Sequence, residues 1–239
     1  MPTPTVPRRF TFWLLLIICC LSVSLLTCRP TEAVLRSDEL EYFPLLEGHF
    51  VIYDVSEQQF SLTSAPVERT YQVKEQVGQR YFDATGQPAF RLLRYRRSTA
   101  QQPWQPDSVW SVRLVNNEAI RTENGLDFIK LVFPLGDRLR WDGNRYNASG
   151  RDEYEIRNSH QPYRVQPVSF GETVTMVAQN DSTLVSQDKR LEVYARQVGL
   201  VYRERIQVQF CSSSPGCIGL NQIDYGIRQF YRIQTYGTE

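Results

Sequence analysis

The sequence predicts an all-β protein built on a single antiparallel sheet, and three observations carry that expectation. Short runs rich in Val, Ile, Tyr, Phe and Trp recur from residue 49 onward, the composition of half-buried strands. Turn residues punctuate them, at Gly86-Gln87-Pro88, Asn116-Asn117, Asn124-Gly125, Asp142-Gly143-Asn144 and Asn180-Asp181, and Asn-Asn and Asn-Gly pairs favour the positive φ of tight hairpins. No stretch longer than about ten residues keeps the 3.6-residue period of an amphipathic helix.

Taken in order, the pattern gives strands at 49–55, 68–76, 89–97, 108–115, 118–123, 126–133, 138–141, 153–158, 163–168, 172–179, 190–196, 199–210 and 226–236. "TEAVLRSDELEYF" (31–43) allows one or two helical turns before the first strand, and "SLTSAPVER" (61–69) and "NDSTLVSQDKR" (180–190) read as loops or short helices. Alternation assigns faces. Trp110, Val112 and Leu114 share one side of their strand. Leu200, Tyr202, Ile206, Val208 and Phe210 share another, opposite a wet face of Val201, Arg203, Arg205, Gln207 and Gln209, as antiparallel sheets allow. Glu204 interrupts that apolar stripe, which calls for a β-bulge or an internal pair with an arginine, a ligand-binding carboxylate being the alternative. "YFPLLEGHFVIYD" (42–54) and "VFPLGDRLRWDG" (132–143) both run from an aromatic-Pro-Leu into an aromatic strand. They mark either two halves descended from one unit or one recurring way to enter a strand after proline.

The chain begins with a secretory signal: Arg8 and Arg9, then an uncharged run from Phe10 to Leu26,. That run is at the lower limit for crossing ~30 Å of hydrocarbon, so length does not separate a span from a signal. The following "LLTC" (25–28) resembles a bacterial lipobox, with Thr27 where Gly, Ala or Ser is usual. The resemblance implies cleavage after residue 27 and lipidation of Cys28, with an uncleaved anchor and ordinary secretion as alternatives. Cys19 and Cys20 sit too early in the run and read as filler. Two acyl chains suffice for stable anchoring at ~0.8 kcal/mol per methylene. Arg29 follows the cysteine where no aspartate stands, which by resemblance to lipoprotein sorting rules implies the outer membrane, facing the periplasm. The division is then 1–27 signal peptide, 28–41 lipidated cysteine and tether, and 42–239 all-β domain.

Losing Arg8 and Arg9 leaves 25 basic against 26 acidic side chains, which excludes the basic footprint of a nucleic-acid binder. Arginine outnumbers lysine, found only at 74, 130 and 189, as genome composition explains. Cys211 and Cys217 bracket "SSSPG" with its Pro215-Gly216 turn, and in an oxidising compartment this pair reads as a disulfide. Its short loop implies a modest stabilisation of ~2 kcal/mol.

Catalytic patterns are sparse. His49 and His160 have no nucleophile in a recognisable frame, and neither a G-x-S-x-G elbow nor a phosphate-binding glycine loop occurs,. Asp142, Asn144, Tyr146 and Glu153 fall on an EF-hand count, but Tyr146 is a poor ligand and Asn147 stands where glycine is needed,. Asp152, Glu153 and Glu155 read as exposed sheet surface rather than a glycosidic carboxylate pair. Arg91, Arg94, Arg96 and Arg97 beside Tyr95 divide between two strand faces, which favours a structural role over an anion patch. The expectation is therefore a protein without catalytic residues, metal or cofactor.

Phe43, Pro44, Leu45, Gly48 and Tyr53, with Glu192, Tyr194, Ala195, Val198, Gly199, Leu200 and Val201, resemble two motifs of bacterial cell-envelope lipoproteins of unknown function: an FPL-x-x-G-x-x-W-x-Y opening and a late E-x-Y-A-x-G-V-G-L-V segment. Phe50 or Val51 replaces the tryptophan and Gln197 a glycine. The resemblance implies a curved sheet like the open half-barrel of lipoprotein carriers, and no activity. The expected function is a non-enzymatic module, held to the membrane by lipidated Cys28, that binds a hydrophobic or lipid-like ligand; the alternative is a scaffold or interaction protein of an envelope complex.

The intact mass of membrane-extracted protein tests the N-terminal reading. It is expected to show loss of residues 1–27 and gain of acyl chains, both abolished in Cys28→Ala. A full-length wild-type mass would instead establish an uncleaved anchor.

Overall fold

A computed structural model describes residues 39–239 of the chain, so the signal, Cys28 and most of the tether lie outside the described residues. A 3-10 turn at Glu39–Tyr42 precedes twelve strands. These are β1 (His49–Ser61), β2 (Ser64–Phe82), β3 (Pro88–Arg97), β4 (Gln105–Val115), β5 (Glu118–Glu123), β6 (Leu126–Val132), β7 (Arg140–Asp142), β8 (Glu153–Val165), β9 (Val168–Ser182), β10 (Ser186–Ala195), β11 (Gly199–Phe210) and β12 (Ile223–Thr238). All pair antiparallel in one sheet, in the order β6-β5-β4-β3-β2-β1-β12-β11-β10-β9-β8-β7.

The topology is two meanders joined at their outer ends in sequence. Strands β1–β6 form one, β7–β12 the other, and the terminal strands β1 and β12 pair at the centre of the sheet. Phe43-Pro44-Leu45 enters β1 and Phe133-Pro134-Leu135 enters β7, so the two similar sequence stretches occupy equivalent places. The sheet curls until its edges meet: the Ile129 amide donates to the Gly143 carbonyl at 2.9 Å and the Trp141 indole to the Ile129 carbonyl at 2.8 Å. The expected curved sheet is therefore a nearly closed barrel.

Several element expectations need correction. The stretches 153–158 and 163–168 are not two strands; β8 runs through to Val165 and β9 begins at Val168. Asn158 and His160 take positive φ and the register shifts between Arg157 and Gln161, a bulge that breaks the alternation without ending the strand. The stretches 61–69 and 180–190 are hairpins, not loops or helices: only residues 62–63 and 183–185 lie outside strands there. Their exposed polar ribbons lack an apolar face, so no period-2 signal marks them.

Face assignment also changes. On β11, Val201 is fully buried and Arg203 largely so, because this part of the face expected to be wet lines the barrel interior; a register shift at Leu200–Tyr202 turns Leu200 inward as well, and Arg205 and Gln209 stay exposed as expected. The opposite face is covered in part by the β8–β9 hairpin, whose Tyr163 packs on Tyr202 and Phe170 on Tyr236. Cys211 and Cys217 form the expected disulfide, with Cα atoms 5.7 Å apart, across the connection from β11 to β12.

The N-terminal turn docks on the end of the barrel that also carries the β6–β7 connection. Glu39 Oε2 accepts from the Leu135 amide at 2.9 Å, and Gly48 donates to the Val77 carbonyl at 2.8 Å. The opposite end carries the β1–β2, β9–β10 and β11–β12 connections.

Gly226 is a point of close approach. It pairs with Val208, has φ +127°, and a Cβ there would lie 2.2 Å from the Gln207 carbonyl oxygen. Because the obstacle is backbone, Gly226→Ala is expected to cost roughly 2 kcal/mol. Urea unfolding reads this directly; an unchanged midpoint would mean that β11 and β12 separate freely.

Candidate functional site

The barrel interior is stratified. At the end nearest the N-terminal turn it is apolar: Phe43, Val51, Tyr53, Val77, Leu92, Val112 and Leu200 pack together, leaving a space of only about 60 Å³. The Tyr53 hydroxyl reaches the Leu200 carbonyl at 2.9 Å, and His49 Nε2 lies 2.9 Å from the Val198 carbonyl. His49 is thus a buried structural residue. His160 Nδ1 lies 3.2 Å from the Tyr42 hydroxyl, fixing the bulge of β8 to the N-terminal turn.

Above this plug lies a layer of buried charge. Glu192 Oε1 is shared by Arg203 Nε at 2.8 Å, Lys130 at 3.3 Å and Arg121 Nη2 at 3.4 Å, while Oε2 accepts from the Tyr194 hydroxyl. Glu123 Oε1 takes Arg121 at 2.7 Å and Lys130 at 3.0 Å. Glu75 pairs with Arg94 at 3.0 Å and with Arg121 at 3.7 Å. Strands β5 and β6 are not neighbours of β10 in the sheet, so the pairs of Arg121 and Lys130 with Glu192 bridge the lumen. Arg94 also lies on the Trp110 ring, 3.9 Å from its centroid, and Arg203 on Tyr231 at 5.3 Å, contacts that suit a desolvated guanidinium.

The electrostatics follow from this sharing. Burial pushes the Glu123 carboxyl up, but Arg121 and Lys130 outweigh it and hold the group at about 2. Burial pushes the Lys130 ammonium down, and Glu123 and Glu192 reverse that, leaving it raised. Burial and then the Glu192 charge raise the Tyr194 phenol well above its ordinary value, so it stays a hydrogen-bond donor.

Beyond the charged layer the interior opens as a cleft of about 360 Å³, lined in part by Glu123, Phe128, Lys130, Met176, Arg190 and Arg203. It combines apolar wall from Phe128, Met176 and Ala178 with charged groups. The apolar concavity that a purely hydrophobic ligand requires is filled by side chains; the open space is mixed.

The candidates read from the sequence disperse. Of the arginine cluster, Arg94 enters the buried layer, Arg91 is exposed, Arg96 stacks on Tyr71 at 3.7 Å and Arg97 on Trp104 at 4.1 Å. Glu204 makes the internal pair foreseen, with Lys189 at 2.9 Å instead of an arginine. Asp142 Oδ1 braces its loop by accepting the amides of Asn144 and Asp152, each at 3.0 Å. Asp152 pairs with Arg190 at 2.6 Å, and Glu153 and Glu155 with Arg140. Cys211 and Cys217 lie far from the charged layer in the register, at the end of β11 and in the loop that follows it. The layer itself was missed, because alternation shows which residues share a face and not which face turns inward. The one available signal was the repetition of Arg and Glu between aromatic residues on β10 and β11.

Fold and site together define an antiparallel up-and-down barrel with one seam, an ion-paired interior and a mixed cleft at one end. No protein-family model and no curated protein matches the chain. Two solved structures are similar to it. One, from Bacteroides fragilis, is described as exported and as having a YmcC-like fold; it is 10% identical over 82% of this chain and 98% of its own, with a TM-score of 0.45. The other, from Parabacteroides distasonis, is described as a lipoprotein; it is 9% identical over the same shares, with a TM-score of 0.37.

The depressed Glu123 carboxyl makes the layer acid-sensitive. A group held at about 2 in the fold and near 4.3 when unfolded contributes stability that is full above the unfolded value and lost as pH falls toward 2. Thermal unfolding is expected to show this loss between about pH 4.5 and 2. Glu123→Gln should be less stable at pH 7 yet lose less on acidification; parallel pH profiles for the two proteins would refute the assignment.

Proposed function

We propose that the chain is an exported cell-envelope lipoprotein, anchored by Cys28 at the outer membrane and facing the periplasm, whose barrel is a non-enzymatic binding module for a lipid-like amphiphile. The observation that carries the binding reading is the stratified interior. The apolar end is filled, and the open cleft sets Phe128, Met176 and Ala178 beside Lys130, Arg190 and Arg203. A wall of that kind suits a molecule with both an apolar and a polar part better than bare hydrocarbon. Export is supported by the lipobox resemblance at "LLTC" and by the Cys211–Cys217 disulfide, a bond that persists in oxidising compartments.

A second reading, an interaction protein of an envelope complex, is favoured by three exposed leucines at neighbouring hairpin tips. Leu62 is 71% exposed, Leu184 66% and Leu220 69%, all at the end away from the N-terminal turn.

Native mass spectrometry of the protein extracted in a mild non-ionic detergent separates the two. The binding reading expects a co-extracted amphiphile that is lost when Met176→Trp fills the cleft. A ligand-free wild-type spectrum, with a crosslinked protein partner lost in the triple variant Leu62→Ser, Leu184→Ser, Leu220→Ser, would establish the second reading instead.

A further inference from the structure

The tips of three neighbouring hairpins share one chemistry. No Asp, Glu, Lys, Arg or His occurs in 58–67, 182–187 or 206–223, in a chain of which 22% is charged. These stretches carry the β1–β2, β9–β10 and β11–β12 connections, and their strands lie side by side in the sheet. Each presents exposed aliphatic side chains: Leu62 and Val67 on the first, Leu184 and Val185 on the second, Ile218 and Leu220 on the third.

The register sets the tips at one height. Phe60 stands opposite Gly226, Gly226 opposite Val208, and Val208 opposite Gln187, so one row crosses β1, β12, β11 and β10. Leu62 lies two residues past that row, Leu184 three, and the β11–β12 loop leaves its strand at Phe210, again two residues past it. Two contacts join the second tip to the third. The Phe210 amide donates to the Val185 carbonyl at 2.8 Å, and a Cβ on Gly219 would lie 3.7 Å from Leu184 Cδ2. Leu184 therefore sits beside the backbone between Ile218 and Leu220.

The polar groups of the tips are turned onto their own backbone. Thr183 Oγ1 accepts the Val185 and Ser186 amides at 3.2 and 2.9 Å, and Ser61 Oγ accepts the Thr63 amide at 3.3 Å. In the third tip the Cys211 amide donates to the Gln222 carbonyl, the Cys217 amide to Ser214 and the Leu220 amide to Cys217. Internal satisfaction of this kind is what backbone entering an apolar medium requires. A protein partner calls for other residues: interface hot spots are enriched in Trp, Tyr and Arg, whereas Leu, Ser, Thr and Val, the residues of these tips, are under-represented there.

We propose that this rim is a bilayer-contact surface, at which Leu62, Leu184, Val185, Ile218 and Leu220 enter the interfacial region of a zwitterionic lipid surface. The absence of basic residues from the tips removes electrostatic attraction to anionic lipid, so buried aliphatic area supplies the attraction. The rim lies at the end of the barrel away from the N-terminal turn, which makes the contact separate from an anchor at Cys28. It does not rest on the cleft, and it gives the leucines a lipid surface in place of a protein partner.

Fluorescence quenching of the full chain, reconstituted in phosphatidylcholine vesicles with or without bromine on the acyl chains, tests the contact. Leu184→Trp places a reporter on the rim, and Val109→Trp places one on β4, where Val109 is exposed on the barrel wall; the unmodified chain supplies the background of the natural tryptophans. Emission from position 184 is expected to shift to the blue and to lose most of its intensity to bromine, while emission from position 109 does neither. Adding Leu62→Asp and Leu220→Asp to Leu184→Trp should restore the emission, because charge resists entry into the bilayer. Quenching that persists on dilution of the vesicles would assign the contact to the anchoring bilayer, and quenching lost on dilution to a second one; both support the proposal. Emission from position 184 that bromine leaves unchanged, or quenching that survives the two aspartates, would overturn it. A ligand-free cleft would leave it standing, and failed quenching would leave the cleft reading standing.

Discussion

The structure depends on Glu192. One carboxylate, buried in the lumen, accepts from Arg203, Lys130, Arg121 and Tyr194, and so joins strands β5, β6, β10 and β11 across a barrel of twelve strands. A barrel of that many strands is wider than the eight-stranded case that side chains just fill. Long charged side chains reach across it, and several cations converging on each carboxylate offset the cost of burial. Such an interior is sensitive to the loss of one member, since removing a partner leaves an uncompensated buried charge.

The same constraint positions the open space. Apolar side chains fill the end where the N-terminal turn docks, the charged layer forms a floor above them, and the cleft opens beyond that floor. The N-terminal turn and the cleft therefore lie at different levels of the barrel. The mixed cleft and the exposed leucines around the far rim are both properties of this one end.

The two meanders give the fold an internal logic. Phe43-Pro44-Leu45 and Phe133-Pro134-Leu135 each stand before the first strand of a six-stranded run, which favours the reading of two related halves over a coincidental way into a strand. The halves meet at β1–β12 along a long ladder, and at β6–β7 through a few contacts around Ile129, Trp141 and Gly143. The seam is where the cleft has its β6 wall, in Phe128 and Lys130.

By itself the sequence determined the all-β class, most of the strand positions and the Cys211–Cys217 pairing; it marked Glu204 for an internal pair but named an arginine where Lys189 stands. These follow from local chemistry: β-branched and aromatic runs, Asn-Gly turns and the spacing of two cysteines around a proline. It also showed that Val201, Arg203, Arg205 and Gln207 share a face. Only the tertiary structure decided that this face turns inward, because closure of the sheet is set by the pairing of β1 with β12 and the approach of β6 to β7, contacts between residues far apart in the chain. Closure buries Val201 and most of Arg203 in a stripe that reads as solvated, while Arg205 and Gln209 stay exposed. Arg94, Arg121, Lys130 and Arg203, ordinary polar residues of separate strands in the sequence, become one layer for that reason.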